Sequence, residues 1–261
     1  MRILLLGGLS LGVLLAGAVR GDEPAAFHAV QCEGIYPQHL QGVCISHDSI
    51  YWCFTTQLVK TSRSGKVQKQ ITVRNHHGDL CFHDGKVFVA VNLGQFNQAA
   101  GGADSWIYVY NADDLSLIAR HAVPEVIYGA GGIAFHKSTF LVVGGLPADI
   151  EENHVYAYDE QLNFLRKHVL KSGQTLRGIQ TAAFADGCWW FGCYGNPAIL
   201  LKANEPLTKV ERFEMNCSLG IVPLASGKFL VARGTQTKGV GHTGRLVLAE
   251  TDQAKGLALK Q

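Results

Sequence analysis

The sequence predicts an all-β protein made of five copies of one four-stranded unit. Three features of the chain carry this prediction. A pattern of two short apolar strands joined by a tight turn recurs five times, each copy is followed by two further short strands, and no stretch of ten or more residues holds the 3.6-residue apolar period of a helix. Because no linker or charge run divides the chain, we expect a single domain.

The repeated hairpin consists of a polar or glycine-containing start, an apolar strand, a two-residue turn and a second apolar strand. Its five copies read QGVCISHDSIYWCF from Gln41, HGDLCFHDGKVFVA from His77, AGGIAFHKSTFLVV from Ala130, QTAAFADGCWWFG from Gln180 and LGIVPLASGKFLVA from Leu219. The predicted turns hold Asp48 and Ser49, Asp84 and Gly85, Lys137 and Ser138, Asp186 and Gly187, and Ser226 and Gly227. Such residues favour tight hairpins.

A loop, a third strand, a polar turn and a fourth strand follow each hairpin. WIYVY at 106–110 with LIARHAV at 117–123 is one example, and HVYAY at 154–158 with FLRKHV at 164–169 is another. Equivalent turn positions are separated by 36, 53, 49 and 40 residues, which suits one four-stranded propeller blade per repeat.

Over nearly the whole mature chain, this pattern resembles the β-propeller superfold in its five-bladed form. The resemblance implies antiparallel four-stranded blades that bury a shared core around an axis. A β-sandwich is the alternative, since regularly spaced short strands suit that architecture as well. Five-bladed propellers include glycosidases, glutaminyl cyclases and lectins, so the fold by itself implies no function.

The two chain ends are predicted to close the ring. FHAVQC at 27–32 can supply the outer strand beside RLVLAE at 245–250, and GLALK at 256–260 can fill that place instead. Glycines occur at the starts of the inner strands. This agrees with a ring in which the inner strands converge at the axis, because side-chain volume must be small there.

The first residues have the form of a secretory signal peptide. An arginine precedes an uninterrupted apolar stretch from Ile3 to Ala18, which ends in small residues. We predict a signal at 1–18, cleavage within 18–21, the propeller at 25–261, and a secreted or periplasmic protein with no membrane-spanning segment after cleavage. A retained N-terminal anchor is the alternative.

The net charge of +2, with 17% charged residues, gives no basis for binding nucleic acid or an acidic membrane. We therefore expect a monomer that binds a small molecule or a glycan. The seven cysteines contain no CxxC pair, and their odd number leaves at least one thiol unpaired. Several lie within apolar strands, where a thiol behaves as a small hydrophobic group.

The predicted site lies on one face of the ring. The loops leading into the inner strands and the loops between second and third strands meet there, around the mouth of the axial channel. The hairpin turns, with His47, His83 and His136, lie on the opposite face. His121, His154 and His168 fall on outer strands.

Adjacent histidines in RNHHGD are predicted to point in opposite directions, because side chains alternate along a strand. His77 then shares its direction with Asp79, and His76 takes the other. Since the copies also align His77 with Gln41, we expect His77 to face the channel.

We predict a divalent metal, either zinc, manganese or calcium, at the channel mouth. Its ligands are His39, His77 and His242, three imidazoles on separate loops that leave a position open for water or substrate. No HxH or HExxH spacing accompanies them.

The remaining polar residues of this face supply the other predicted roles. The catalytic candidates are Asp79, Tyr128 and Tyr194. The substrate-binding candidates are Gln41, Asn92, Arg177, Gln180, Asn216 and Arg233. Arginine matches carboxylate, sulfate or phosphate with two parallel hydrogen bonds. For Asp79 the alternative is a structural carboxylate that accepts hydrogen bonds from backbone amides.

These residues predict an exported enzyme that acts on a carbohydrate or another oxyanion-bearing small molecule, by metal-assisted hydrolysis or by elimination. No clear carboxylate pair emerges, which counts against an ordinary two-carboxylate glycosidase. The alternatives are a non-catalytic propeller that binds a glycan or a protein, and a ring whose polar channel serves packing alone.

Overall fold

The computed structural model describes residues 29–260, in which all regular secondary structure is β-strand. Blade 1 consists of β2 (Gly42–Ile45), β3 (Ser49–Cys53), β4 (Gln57–Ser62) and β5 (Val67–Thr72). Blade 2 consists of β6 (His77–His83), β7 (Lys86–Asn92), β8 (Ser105–Asn111) and β9 (Leu117–Ala122). Blade 3 consists of β10 (Ala130–His136), β11 (Thr139–Gly144), β12 (Asn153–Tyr158) and β13 (Phe164–Leu170). Blade 4 consists of β14 (Leu176–Ala185), β15 (Cys188–Gly195), β16 (Ala198–Asn204) and β17 (Val210–Glu214).

The fifth blade contains both ends of the described chain. Its strands are β18 (Ile221–Pro223), β19 (Lys228–Thr237), β20 (Gly241–Asp252), β1 (Val30–Gln31) and β21 (Gly256–Leu259). The two alternatives for ring closure are realised together, because β1 pairs with one half of β20 and β21 pairs with the other half. All pairings are antiparallel, which confirms the five-bladed propeller. The signal peptide predicted at 1–18 lies outside the described residues.

The apolar core lies between the blades. Five clusters of buried side chains each join neighbouring blades, and the cluster between blades 1 and 5 includes Val43, Trp52 and Leu230. Trp189 and Trp190 point to opposite sides of blade 4 and enter two different clusters, so that both pack between blades. No single blade could bury this surface alone.

The inner strands approach one another so closely that side chains are excluded at the axis. A Cβ on Gly78 would lie 2.3 Å from the carbonyl oxygen of Gly131 on the next inner strand. A Cβ on Gly42 would lie 2.4 Å from Cα of Asp79. Glycine is needed here because of this backbone approach, as the ring predicts.

Three of the five hairpin turns have the predicted two residues between strands, at 84–85, 137–138 and 186–187. Both residues of each turn have positive φ, as tight hairpins of this kind require. The other two differ from the prediction: residues 46–48 connect β2 to β3, and residues 224–227 connect β18 to β19.

All seven cysteines lie within the described chain, and none forms a disulfide. Burial raises the pKa values of Cys193 and Cys217, each to about 12. These thiols behave as buried apolar groups, as the strand positions of most of the cysteines suggest. In residues 29–260 no helix has the length and apolarity needed to cross a membrane.

Candidate functional site

A pocket of about 630 Å³ opens on the predicted site face, between blades 4 and 5 and the segment that precedes blade 1. Its lining residues are Gln38, His39, Leu176, Arg177, Tyr194, Gly195, Gln236 and His242. Four of these, His39, Arg177, Tyr194 and His242, were predicted from the sequence. They come from distant parts of the chain and meet because the ring closes. We call this cavity the mouth pocket.

Ring closure itself places His39 beside His242. Tyr36 and His242 exchange two backbone hydrogen bonds of 2.9 and 2.8 Å, which fix the segment before blade 1 along β20. Leu40 is completely buried and anchors the other end of this short segment. As a result the rings of His39 and His242 lie 6.1 Å apart, centroid to centroid.

Blade 4 supplies Arg177 and Tyr194. Arg177 lies near the start of β14, where its φ of 62° falls in the left-handed region. The Gln180 side-chain amide donates to the carbonyl oxygens of Arg177 at 2.8 Å and Gly178 at 3.4 Å. Gln180, predicted to bind substrate, is 4% exposed and instead holds the loop that presents Arg177.

Three polar groups of the mouth pocket have no hydrogen-bond partner within residues 29–260. They are the guanidinium of Arg177, the hydroxyl of Tyr194 and the imidazole of His242. No aspartate or glutamate among the described residues lines this pocket. The site is therefore rich in hydrogen-bond donors and carries positive charge, a combination that suits an anionic ligand.

The electrostatics of the pocket follow from burial and from its neighbouring basic side chains. Burial, followed by the charges of His242 and Arg177, lowers the pKa of His39. Burial also raises the pKa of Tyr194, while Arg177 acts in the opposite direction. At neutral pH His39 is therefore uncharged, and Tyr194 keeps the proton of its hydroxyl.

Gln41 links the mouth pocket to the axial channel. Its side-chain nitrogen lies 2.7 Å from Nε2 of His39 and 2.7 Å from Nε2 of His76. An amide nitrogen donates, so each imidazole accepts at Nε2 and carries its own proton on Nδ1. Gln41 is 4% exposed and acts as a bridge between two histidines rather than as a direct substrate ligand.

His76, not His77, faces the channel mouth, so the predicted orientation of the pair is wrong. The prediction assumed a regular alternation of side chains, but the register of β6 shifts between His77 and Leu80. Burial and the nearby His39 lower the pKa of His76 to about 4. The ring of Phe96 lies beside it, 6.1 Å away between centroids.

His77 is completely buried within blade 2, away from His39 and His242. Its Nδ1 donates to the carbonyl oxygen of Arg74 at 2.6 Å, and its Nε2 accepts from the hydroxyl of Tyr110 at 2.8 Å. Both ring nitrogens are thus used by the fold. The structure brings together two of the three predicted metal ligands. Within residues 29–260 no three histidine, cysteine, aspartate or glutamate side chains form a group suited to a metal.

Asp79 lies in the axis of the ring, where it is 2% exposed. Its carboxylate accepts from the backbone amide of Ala182 on blade 4 at 3.1 Å, and also from the amides of Leu80 and Val43. Burial nevertheless raises the pKa of Asp79 well above its usual value. The carboxylate therefore ties three blades together, which is the structural alternative predicted for it.

The other predicted substrate ligands hold loops in place. The Asn92 side chain donates to the carbonyls of Gly94 and Gln95, and it accepts from the amide of Asp104 at 2.9 Å. These bonds fix the long loop that carries Phe96. Asn92 is 3% exposed and does not line the mouth pocket.

Asn216, Arg233 and Tyr128 also lie outside the lining of the mouth pocket. Asn216 accepts from the amide and the hydroxyl of Ser218. Arg233 donates to the backbone carbonyl of Asn216 at 2.7 Å. Tyr128 stacks on His154 of blade 3, with 5.6 Å between the ring centroids.

Gln38 and Gln236 line the pocket and were missed from the sequence. The repeat pattern predicts that RGTQTKGVGHTG is a loop between the second and third strands of the last blade, but β19 and β20 continue through it as a long hairpin in which Gln236 pairs with His242. Alternating polar residues in GTQTKGVGHTG are the one sequence signal of that extension.

No protein-family model matches the sequence, and no curated protein matches it. Solved structures share its fold at low identity. Xylan β-1,4-xylosidase from Bacillus halodurans C-125 aligns with a TM-score of 0.60 and 13% identity, over 88% of this chain and 56% of that chain. Glutaminyl cyclase from Myxococcus xanthus aligns with a TM-score of 0.57 and 10% identity, over 86% of this chain and 100% of that chain.

U3-55K aligns with a TM-score of 0.54 and 9% identity, over 92% of this chain and 69% of that chain. Enzymes and a protein with no enzymatic name thus share the architecture. These likenesses show that the chain is a β-propeller, and they carry no information about its chemistry.

Proposed function

We propose that the protein is an exported enzyme that cleaves an acidic carbohydrate by elimination next to the sugar carboxylate. The observation that carries this proposal is the convergence of Arg177, Tyr194 and His242 in the mouth pocket, all without partners in residues 29–260. A uronate offers the matching groups: a carboxylate for the arginine, an acidic C–H beside it, and a leaving oxygen.

Each side chain has one role in this reaction. Arg177 binds the carboxylate through two parallel hydrogen bonds. His242 removes the proton from the carbon next to that carboxylate, and the electrons of the broken C–H bond form a carbon–carbon double bond. The bond to the glycosidic oxygen then breaks, and the Tyr194 hydroxyl gives that oxygen its proton.

His39 stabilises the charge that develops on the carboxylate during proton removal. Its Nδ1–H is available because Gln41 already occupies Nε2. A hydrogen-bond donor directed at developing charge in a partly closed site typically contributes about 10²-fold to the rate. Gln41 acts as a positioning residue, since it fixes the tautomer of His39 and touches no substrate in this scheme.

The test is the ultraviolet absorbance of the unsaturated product when the protein is incubated with oligogalacturonides. His242→Gln is expected to reduce kcat by at least about 10²-fold. Arg177→Gln is expected to raise KM by about tenfold or more, because it removes the carboxylate contact. His47→Gln is the control, since His47 is an exposed histidine on the opposite face bonded only to Asp48.

Binding without turnover would favour the non-catalytic alternative instead. In that case oligogalacturonides would bind wild-type protein, Arg177→Gln would weaken the binding, and no unsaturated product would form. If Arg177→Gln changed neither binding nor turnover, the assignment of the mouth pocket would be wrong.

A divalent metal at the mouth is a separate prediction, and His39 with His242 is the pair that would hold it. Elemental analysis of untagged protein tests it. Stoichiometric zinc, manganese or calcium that is lost in His242→Ala and kept in His77→Gln would support such a site. An equal metal content in both variants, or no metal in wild-type protein, would count against it.

A further inference from the structure

A second cavity, of about 500 Å³, lies on the face opposite to the mouth pocket. It opens between blades 3 and 4, beside the hairpin turn at 137–138 and the turn that follows β16. Nothing in the proposed reaction uses this cavity. Its volume falls within the range of small-molecule sites.

The floor of this cavity is apolar. Leu141, Trp189 and Leu207 line it, and all three belong to the buried cluster between blades 3 and 4. The indole N–H of Trp189 already donates to the backbone carbonyl of Glu205 at 3.1 Å. What these residues present to the cavity is therefore hydrocarbon and aromatic surface.

The rim of the cavity carries an excess of positive charge. Lys137 and Glu205 form an ion pair, with 2.5 Å between Nζ and Oε1. Arg166, which is exposed on β13, donates from Nε to Nε2 of His168 at 3.0 Å. Within residues 29–260 the terminal nitrogens of Arg166 have no partner, and no second carboxylate lines the cavity to neutralise this charge.

The histidines of the rim do not alter this balance. His168 accepts the hydrogen bond from Arg166, so that its Nε2 carries no proton. Nε2 of His136 is buried without a hydrogen bond, 3.4 Å from Oε1 of Glu205. His136 is therefore directed at Glu205, and the Arg166 guanidinium is the charged group left for a ligand above the apolar floor.

We propose that this cavity binds a small monoanion with a flat apolar body, of the class of the aryl-substituted carboxylic acids. The carboxylate lies against the terminal nitrogens of Arg166, which match it with two hydrogen bonds. The apolar body covers Leu141, Trp189 and Leu207. This site is independent of the mouth pocket, because no residue lines both.

Isothermal titration calorimetry with 3-phenylpropionate tests the proposal. The uncharged amide of the same acid is the control ligand. Wild-type protein is expected to bind one equivalent of the acid saturably, and to bind the amide at least about tenfold more weakly. Arg166→Gln is expected to weaken binding of the acid by about tenfold or more with an unchanged Tm, because the side chain is exposed.

Arg120→Gln and Arg177→Gln are the control variants. Arg120 lies on β9, the outer strand of blade 2, and Arg177 lies in the mouth pocket. Both are expected to bind the acid as wild-type protein does. The proposal is overturned if the acid shows no saturable binding, if the amide binds equally well, or if Arg177→Gln and not Arg166→Gln abolishes binding.

Discussion

At the scale of single residues, the polar groups on the site face and at the axis divide into buried ones that hold the fold and more exposed ones that line a pocket. Asp79 and His77 have their polar atoms satisfied by the protein. Arg177 and His242 do not, within the described chain. Whether the protein itself provides hydrogen-bond partners for a polar side chain, more than the residue type, separates structural from functional candidates.

The axial carboxylate gives the first prediction. Asp79→Ala removes the acceptor of three backbone amides and should lower the free energy of unfolding by about 2 to 4 kcal/mol. Asp79→Asn keeps an acceptor oxygen and should cost less. Urea unfolding of both variants at neutral pH measures the difference, and equal losses would show that the carboxylate is not a structural acceptor.

Asp79 also predicts a pH dependence. Its pKa is raised from 3.8 by burial, so the folded protein holds this proton more tightly than the unfolded chain does. The contribution of Asp79 to stability therefore falls as pH rises above about 4. The free energy of unfolding of Asp79→Asn, expressed relative to that of wild type, should therefore increase from about pH 4 to about pH 7. A constant difference would contradict the buried position.

His77 predicts the opposite trend. Burial lowers its pKa from 6.5 to about 4, so its neutral form is favoured in the folded state. Its contribution is complete above about pH 6.5 and is lost as pH falls towards about 4, a change of about 3 kcal/mol. The free energy of unfolding of the His77→Gln variant should change less with pH across this range than that of wild-type protein. An equal pH dependence of the free energy of unfolding in the variant and in wild-type protein would show that His77 is exposed to solvent.

At the scale of elements, the repeated hairpins could be read from the sequence because each one combines apolar strands with turn residues. The blade order and the inner-strand glycines followed from that reading. The orientation of His76 and His77 did not, because a register shift in β6 breaks the alternation on which it depended. The extension of β19 and β20, which carries Gln236, was hidden in a polar stretch interpreted as a loop.

The approach of the inner strands gives a prediction at this scale. A Cβ at Gly78 would lie 2.3 Å from the carbonyl oxygen of Gly131, so Gly78→Ala should lower the free energy of unfolding by about 3 kcal/mol. Gly85 is the control, since its Cβ would touch nothing within 4 Å and its φ of 68° alone penalises alanine. Gly85→Ala should cost about 1 kcal/mol. Equal losses would show that the inner strands lie further apart.

At the scale of the whole molecule, ring closure both stabilises the fold and builds the site. Two strands from opposite ends of the described residues share β20, and the segment between β1 and β2 brings His39 to His242. The sequence contained both closing strands but no signal that they would be used together. Four pocket residues were nevertheless found, because a predicted ring already places their loops on one face.

Closure by the last strand can be measured. Leu257 on β21 is completely buried in the cluster between blades 4 and 5, so Leu257→Ala should cost about 3 kcal/mol. Leu259 on the same strand is 43% exposed, and Leu259→Ala should cost less than about 1 kcal/mol. Both variants should unfold in one cooperative transition. A separate early transition would show that β21 frays independently of the ring.

The most direct test of the central claim is a crystal structure of the protein with bound galacturonate. The ring geometry predicts electron density in the mouth pocket, with the sugar carboxylate paired to the guanidinium of Arg177 and the imidazole of His242 facing the neighbouring carbon. Density on another face of the molecule, or a structure in which the rings of His39 and His242 lie far apart, would contradict the account.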